Sequence, residues 1–196
     1  MIAASSPVVL PFILASASPR RKALLAQAGF APDRVIAPDI DERPKKAELP
    51  RIYAMRLALA KAESVLEREP DADVLGADTV VACGRRILPK AESRDEVERC
   101  LRLLSGRRHQ VLTALALAHA GKKPKTRVVL TRVAFKVLSA REIADYVESG
   151  EGIGKAGGYG VQGRAEAFVR FINGSYSNVV GLPLYETLAL LGTNNK

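Results

Sequence analysis

Apolar runs of strand length alternate along this chain with stretches whose apolar residues recur at helical spacing. Residues 8–15, "VVLPFILA", read as a strand feeding a helix that begins at Pro19, with Ser18 as N-cap and Gly29 as C-terminal stop. A short strand near 34–37 runs out into the polar loop "PDIDERPKK". Residues 49–69 then carry apolar positions at helical spacing, with Pro50 in the first turn. The buried-type strand "ADVLGADTVVACG" turns at Gly84 and Arg85 into "RRIL", a predicted hairpin. Residues 93–106 open with a capping-box pair, Ser93 and Glu96, and stop at Gly106. A second pair, Ser139 and Glu142, opens the helix "AREIADYVESG". Between them lie two long strands, "RHQVLTALALAHA" and "KTRVVLTRVAFKVL", joined at "GKKP". Beyond a glycine-rich stretch at 151–169, "SYSNVVGLPLYETLALL" reads as a strand, a Gly-Leu-Pro corner and a terminal helix. Hairpin and crossover connections in one chain predict a mixed α/β sheet flanked by helices.

Arg20 and Arg21 stand in the first turn of the first helix, against the helix electrostatics. Aligned peptide dipoles already make that end positive, so each cation there is unfavourable by ~0.3–1 kcal/mol. A polyanion held between them reverses the sign. Free N–H groups of the helix start, the Ser16 and Ser18 hydroxyls and the guanidinium forks together make a phosphate cradle. The plain alternative is two arginines pointing into water. Asp78 interrupts the apolar strand "GADTVV"; a carboxylate buried there has to be paired, metal-bound or chemically employed. Glu42 shares an acidic loop with Asp39 and Asp41 and reads equally as part of a solvated turn. Two carboxylates beside a phosphate cradle are the donor set of a magnesium-dependent phosphoryl enzyme. Lys61, within "ALALAKAES", either snorkels from the core face of its helix or points into a site. Lys90 fits a loop lysine as well as a ligand contact. Lys155 and Gln162 flank "AGGYGV", where glycines let backbone approach a ligand closely. Neither P-loop spacing nor a dinucleotide fingerprint is present.

Composition narrows the partners. The 196 residues suffice for one domain, and 47% hydrophobic with 26% charged residues supports both a core and a solvated surface. A net charge of +9 suits a polyanionic partner, but the cations are scattered rather than gathered in a tail. With no tryptophan and only 5% aromatics, there is no stacking platform for nucleic-acid bases. Cys83 and Cys100 are far apart and form no CxxC, so they read as reduced thiols of a cytoplasmic protein rather than zinc ligands. His109 and His119 fall in the strand-rich middle, outside any helical metal motif. The apolar N-terminus has no basic residue before it and is broken by two prolines, which does not fit a secretory leader. No run reaches the roughly 18 apolar residues of a membrane span.

Taken in order, "LASASPRR", "GADTVV", "LSGRRHQVLTALAL", "KAGGYGVQG" and "GSYSNVVGLPL" resemble the Maf family of nucleotide pyrophosphatases, over residues 13–190. That resemblance implies the fold of the inosine-triphosphate pyrophosphatases, an elongated mixed β-sheet flanked by helices around a deep central cleft. It implies one catalytic domain at 12–192, between a loose tail at 1–11 that includes the start of the first strand and a second tail at 193–196. Family members are often homodimers. They hydrolyse nucleoside triphosphates to the monophosphate and pyrophosphate with a divalent metal cation, Mg or Mn.

Of the family's two branches, one prefers dTTP and UTP and the other 7-methyl-GTP; "KAGGYGVQG" and "GSYSNVVGLPLYET" are similar to the first. By that resemblance specificity falls to Arg20, Thr79 and Gln162. A glutamine amide both donates and accepts, which suits the O4/N3–H edge that uracil and thymine share. Asp78 would activate water and Glu42 would help hold metal or water, while Ser16, Arg21, Lys61 and Lys90 would grip phosphates. In one departure, Lys90 has Pro89 before it and Ala91 after it, where the family usually has proline after the lysine. Modified pyrimidine nucleotides present the same base edge. Two readings from other classes stand beside this one: a nucleotide-binding regulator of cell division without turnover, and a basic nucleic-acid-binding module.

Overall fold

The computed structural model describes residues 10–192; residues 1–9 of the expected tail at 1–11, and the whole of that at 193–196, lie outside the described residues. In chain order the elements are β1 (Phe12–Ala15), α1 (Pro19–Gln27), β2 (Arg34–Ile36), α2 (Pro50–Leu66), β3 (Asp73–Cys83), β4 (Arg86–Leu88) and α3 (Arg94–Leu104). Then come β5 (Arg108–His119), β6 (Lys122–Phe135), α4 (Ala140–Ser149), β7 (Val169–Asn173), α5 (Tyr176–Val180) and α6 (Leu184–Leu191). The strands form one sheet in the order β2-β1-β3-β5-β6-β7, with β4 also on β3. β1 runs parallel to both β2 and β3, and the remaining pairings are antiparallel. This is the mixed α/β class that the strand and helix pattern predicts.

β3 is the organising strand. On one edge β5 pairs it continuously from Val74 to Ala82. On the other edge β1 pairs it only over Asp73–Gly76, and β4 only over Val81–Cys83. Between those partners, residues 77–80 have an open edge. Side chains alternate across the sheet: Val74 and Val80 join the cluster under α2, whereas Leu75, Ala77 and Val81 join the larger cluster under α1, α3, α4 and α6. Consecutive residues thus serve opposite layers, and only at an open edge do both faces meet one cavity.

α2 approaches β3 unusually closely. A Cβ on Gly76 would lie 2.2 Å from the Ala58 carbonyl oxygen and 2.7 Å from the Ala62 nitrogen, so only glycine permits this contact. The contact sets the height of Lys61, one residue before Ala62, above the strand.

Three elements differ from the pattern reading. "SYSNVV" is not a strand: Tyr176–Val180 forms the short helix α5, started by the Ser175 side chain accepting from the Asn178 N–H. The Asn178 amide, fully buried, donates to the Val111 carbonyl and the Thr131 hydroxyl, a tertiary anchor that outweighs the β-propensity of the two valines. The predicted loop "GKKP" contracts, because His119 pairs with Lys122 and β6 already includes Pro124. Proline is tolerated there because β7 covers β6 only over Arg132–Phe135, leaving that stretch on an edge. Finally, Val169–Asn173 forms the edge strand β7 inside and beyond the stretch read only as glycine-rich.

Candidate active site

The open edge of β3 forms the floor of a cleft of about 330 Å³. All nine residues to which the family resemblance gives a role line it. Ser16, Arg20 and Arg21 come from the β1–α1 junction, Glu42 from the loop after β2, and Lys61 from α2. Asp78 and Thr79 come from β3, Lys90 from the segment after β4, and Gln162 from the glycine-rich loop. The gap between β1 and β4 lets adjacent residues of opposite facing, Asp78 and Thr79, contribute to the same space.

Lys61 is the centre of the acidic side. Its buried ammonium lies 2.7 Å from Asp78 Oδ1 and 2.8 Å from Glu42 Oε1. Lys90 Nζ approaches the other Glu42 oxygen at 2.6 Å. Burial pushes the Asp78 carboxyl above the usual aspartate range, against the opposing pull of Lys61 and Arg21. Glu42 goes the other way. Its partial burial acts to raise it, but hydrogen bonds from Lys61 and Lys90 prevail and hold it at about 2. Two neighbouring carboxylates with pKa values driven apart are the arrangement in which one is a better proton acceptor and the other a fixed charge.

The basic side is built on α1. Ser18 occupies the N-cap with extended backbone and Pro19 follows it, as the sequence predicts, but the Ser18 side chain makes no capping bond to the helix. The two arginines divide. Arg21 is buried and donates from Nε to the Gly181 carbonyl at 2.9 Å, from Nη1 to the Ser16 hydroxyl and from Nη2 to the Thr79 hydroxyl, both at 3.1 Å. Three of its five N–H donors are therefore spent on the protein and two remain. Burial lowers the pKa of this guanidinium, with Asp78 acting to restore it. Arg20 is half-buried on the cleft wall and has no ion-pair partner among the described residues.

Behind Arg21 runs a polar chain that the sequence reading missed. Thr79 Oγ1 lies 3.0 Å from Thr113 Oγ1, which donates to the Asn178 carbonyl at 3.1 Å. Thr113 and Asn178 are fully buried, and their pairing was invisible because it joins residues 65 apart. Thr79's hydroxyl is thus committed to holding Arg21, and its bearing on a ligand runs through that guanidinium.

The glycine-rich loop closes the far wall. A Cβ on Gly157 would come within 2.8 Å of Val81 Cγ1, and its φ of +68° is in the left-handed region, so the loop lies directly on the end of β3. Lys155 enters the cleft with its ammionium donating to the Glu151 carbonyl; burial and the like charge of Arg20 lower its pKa. It is a further cation of the site, legible only as a residue flanking "AGGYGV". Tyr159 also lines the cleft, and its hydroxyl is 2.8 Å from Nε2 of His109, a core histidine that burial holds at about 4 and therefore neutral.

The described residues contain no group of three or more His, Cys, Asp or Glu side chains placed to hold a metal. The donor set nevertheless fits a hard cation that completes its shell with phosphate oxygens, because Asp78 and Glu42 already converge on one cationic point, the Lys61 ammonium. Cys83 and Cys100 are free thiols, and no helix among the described residues is long and apolar enough to cross a membrane.

Known proteins resemble the chain in sequence and, more loosely, in structure. Over 181 residues the chain is 58% identical to a dTTP/UTP pyrophosphatase of Sphingopyxis alaskensis, covering 92% of this chain and 95% of that protein. It is 60% identical over 179 residues to a dTTP/UTP pyrophosphatase of Caulobacter vibrioides, covering 91% and 93%. A looser structural likeness, with TM-score 0.46 and 15% identity over 63% of this chain and 71% of the other, is to the Staphylococcus aureus Ham1 protein. The sequence model of the Maf-like protein family matches residues 11–194, and the chain belongs to that family.

Proposed function

We propose that the chain is a nucleoside triphosphate pyrophosphatase that hydrolyses dTTP and UTP to the monophosphate and pyrophosphate. The observation that carries this reading is one cleft in which a buried carboxylate of raised pKa, Asp78, faces a set of cations of phosphate-binding type. The names of its relatives point to the same substrates and favour neither a regulator without turnover nor a nucleic-acid-binding module.

The triphosphate lies between the start of α1 and the lysines. Arg20, the two remaining N–H groups of Arg21, the Ser16 hydroxyl and Lys90 take its oxygens, and Lys155 adds charge from the glycine-rich loop. Asp78 accepts the proton of a water that attacks the α-phosphorus; the bond from that phosphorus to the α,β-bridging oxygen breaks, and pyrophosphate leaves with the bonding pair. A divalent cation, Mg or Mn, held by Asp78 and Glu42 when bound, would neutralise phosphate charge and acidify that water. Gln162, exposed on the cleft wall, reads the pyrimidine O4/N3–H edge with its amide. The enzyme acts in the cytoplasm, and a homodimer is its expected form.

The test is a panel of nucleoside triphosphates with magnesium, resolving monophosphate plus pyrophosphate from diphosphate plus orthophosphate. Pyrophosphate from dTTP and UTP, with little from purines, is expected. Orthophosphate as the sole inorganic product, or no turnover of any pyrimidine, would overturn the proposal.

A further inference from the structure

A second concavity adjoins the active cleft at Lys90, between β4 and α3, with a volume of about 580 Å³. That is within the ~300–1,000 Å³ typical of small-molecule sites. Its wall carries four arginines, Arg86 of β4, Arg99 and Arg102 of α3, and Arg107, beside Lys90, whose ammonium is already held by Glu42 at 2.6 Å. The only carboxylate on the wall is Glu96. Two of the arginines are partly compensated, Arg99 by Glu96 at 3.8 Å and Arg102 by Glu98 at 2.7 Å, while Arg86 and Arg107 have no ion pair among the described residues. The floor is different in kind. Ile87, Leu88, Pro89, Ala91 and Leu103 make it apolar, with the half-buried Cys100 among them.

We infer that this groove is a second ligand site, taking an organic polyphosphate whose phosphates meet the guanidinium groups and whose organic body covers the apolar floor. The charge excess calls for a ligand with several negative charges, and guanidinium forks match phosphate oxygens two at a time. An inorganic anion would satisfy the rim and leave the floor bare. Flat heterocycles suit the site because arginine planes stack on them where no aromatic ring is available. The groove and the active cleft share one strip of chain: Lys90 lines both, and the Pro89 and Leu88 beside it line the groove. A ligand in the groove therefore touches the segment that presents Lys90 to Glu42. The inference does not rest on the identity of the nucleotide hydrolysed in the cleft.

Cys100 reports on the groove, because it lines this concavity and not the cleft. In a Cys83→Ala variant it is the sole thiol, since the chain has two cysteines. Burial and Glu96 raise its pKa, and Arg86 and Arg99 act against them, so alkylation by iodoacetamide is followed at alkaline pH by mass spectrometry. The probe is a UTP analogue with a methylene in place of the α,β-bridging oxygen, which resists cleavage. Alkylation should slow about fivefold at about 80% occupancy. The protection should vanish in the Arg86→Glu/Arg107→Glu double variant, whose pyrophosphatase activity persists. Unchanged alkylation would overturn the inference, as would protection that survives the double variant, because it would then arise from the cleft. Equal protection by pyrophosphate alone would overturn the role given to the apolar floor. Slowing that tracks protein concentration without the analogue would assign the groove to a second copy of the chain instead.

Discussion

At the scale of single residues, the site is governed by where two charges, Asp78 and Lys61, stand relative to water. Asp78 is buried beside one ammonium, and that burial raises its proton affinity while Lys61 restrains it. In Asp78→Asn the amide oxygen still accepts from Lys61, and that ammonium keeps Glu42 as its charged partner at 2.8 Å, so the protein should fold with near-normal stability. Turnover should fall by about 10²–10⁴, the usual worth of a positioned base. Substantial retained activity, measured as pyrophosphate release, would remove Asp78 from the catalytic role. Lys61→Met tests the opposite partner. Removing one member of a buried ion pair strands the other, at a cost of about 3–5 kcal/mol, to be read from urea unfolding. Without the ammonium, Asp78 binds its proton to higher pH, so the acid limb of any remaining activity should move up the pH scale. An unmoved limb would show that Asp78 does not control it.

Elements set the positions of those charges. Lys61 owes its height to the glycine contact beneath α2, and that contact gives a prediction about backbone rather than chemistry. Gly76→Ala places a methyl group against the Ala58 carbonyl and Ala62 nitrogen, so α2 must lift away from β3. Overpacking of this kind costs about 1–3 kcal/mol, and the shifted helix should loosen Lys61 from Asp78 and Glu42. Expected together are a lower thermal midpoint and a lower kcat, with a smaller change in KM. A stable variant with full kcat would mean that Lys61 is placed by other contacts. The capping boxes show how much of an element is local. Ser139 and Glu142 form the complete reciprocal box that their spacing predicts, whereas Glu96 bonds the Glu92 N–H and leaves only the Ser93 half. Both helices start where the sequence places them, because one side-chain cap suffices.

Across the whole molecule, electrostatics predict an acid-labile protein. Glu42, Glu48 and Glu142 are all held at about 2, chiefly against their lysine or arginine partners. A carboxylate whose pKa is depressed by folding contributes stability above its unfolded value, and loses it as the pH falls through the folded value. Asp78, raised by folding, works in the opposite direction but is a single group. Stability should therefore decline from about pH 6.5 towards pH 4, where the unfolded chain protonates His109 and the buried ring stays neutral, and further from about pH 4.5 towards pH 2, where the three carboxylates acquire protons. The formal net charge of +9 grows as they do, adding self-repulsion. Scanning calorimetry across that range reads the effect; a constant thermal midpoint would contradict it.

What the sequence determined by itself is largely what depends on neighbours along the chain. Strand and helix periods, helix caps, the Pro19 and Pro50 starts and the residue types of a phosphate cradle are local, and each candidate residue was legible in its own motif. The interior of Arg21, the reach of Lys155 and the buried chain from Thr79 through Thr113 to Asn178 were not, because each depends on a partner far away in sequence. The same holds for α5, whose valines favour a strand until Asn178 is anchored to β5 and β6. Tertiary structure alone decided that β1 and β4 stop short of each other on β3. An unpaired stretch of one strand edge, with side chains alternating to both faces, is what brings an acid from one layer and a guanidinium from the other to a single cleft.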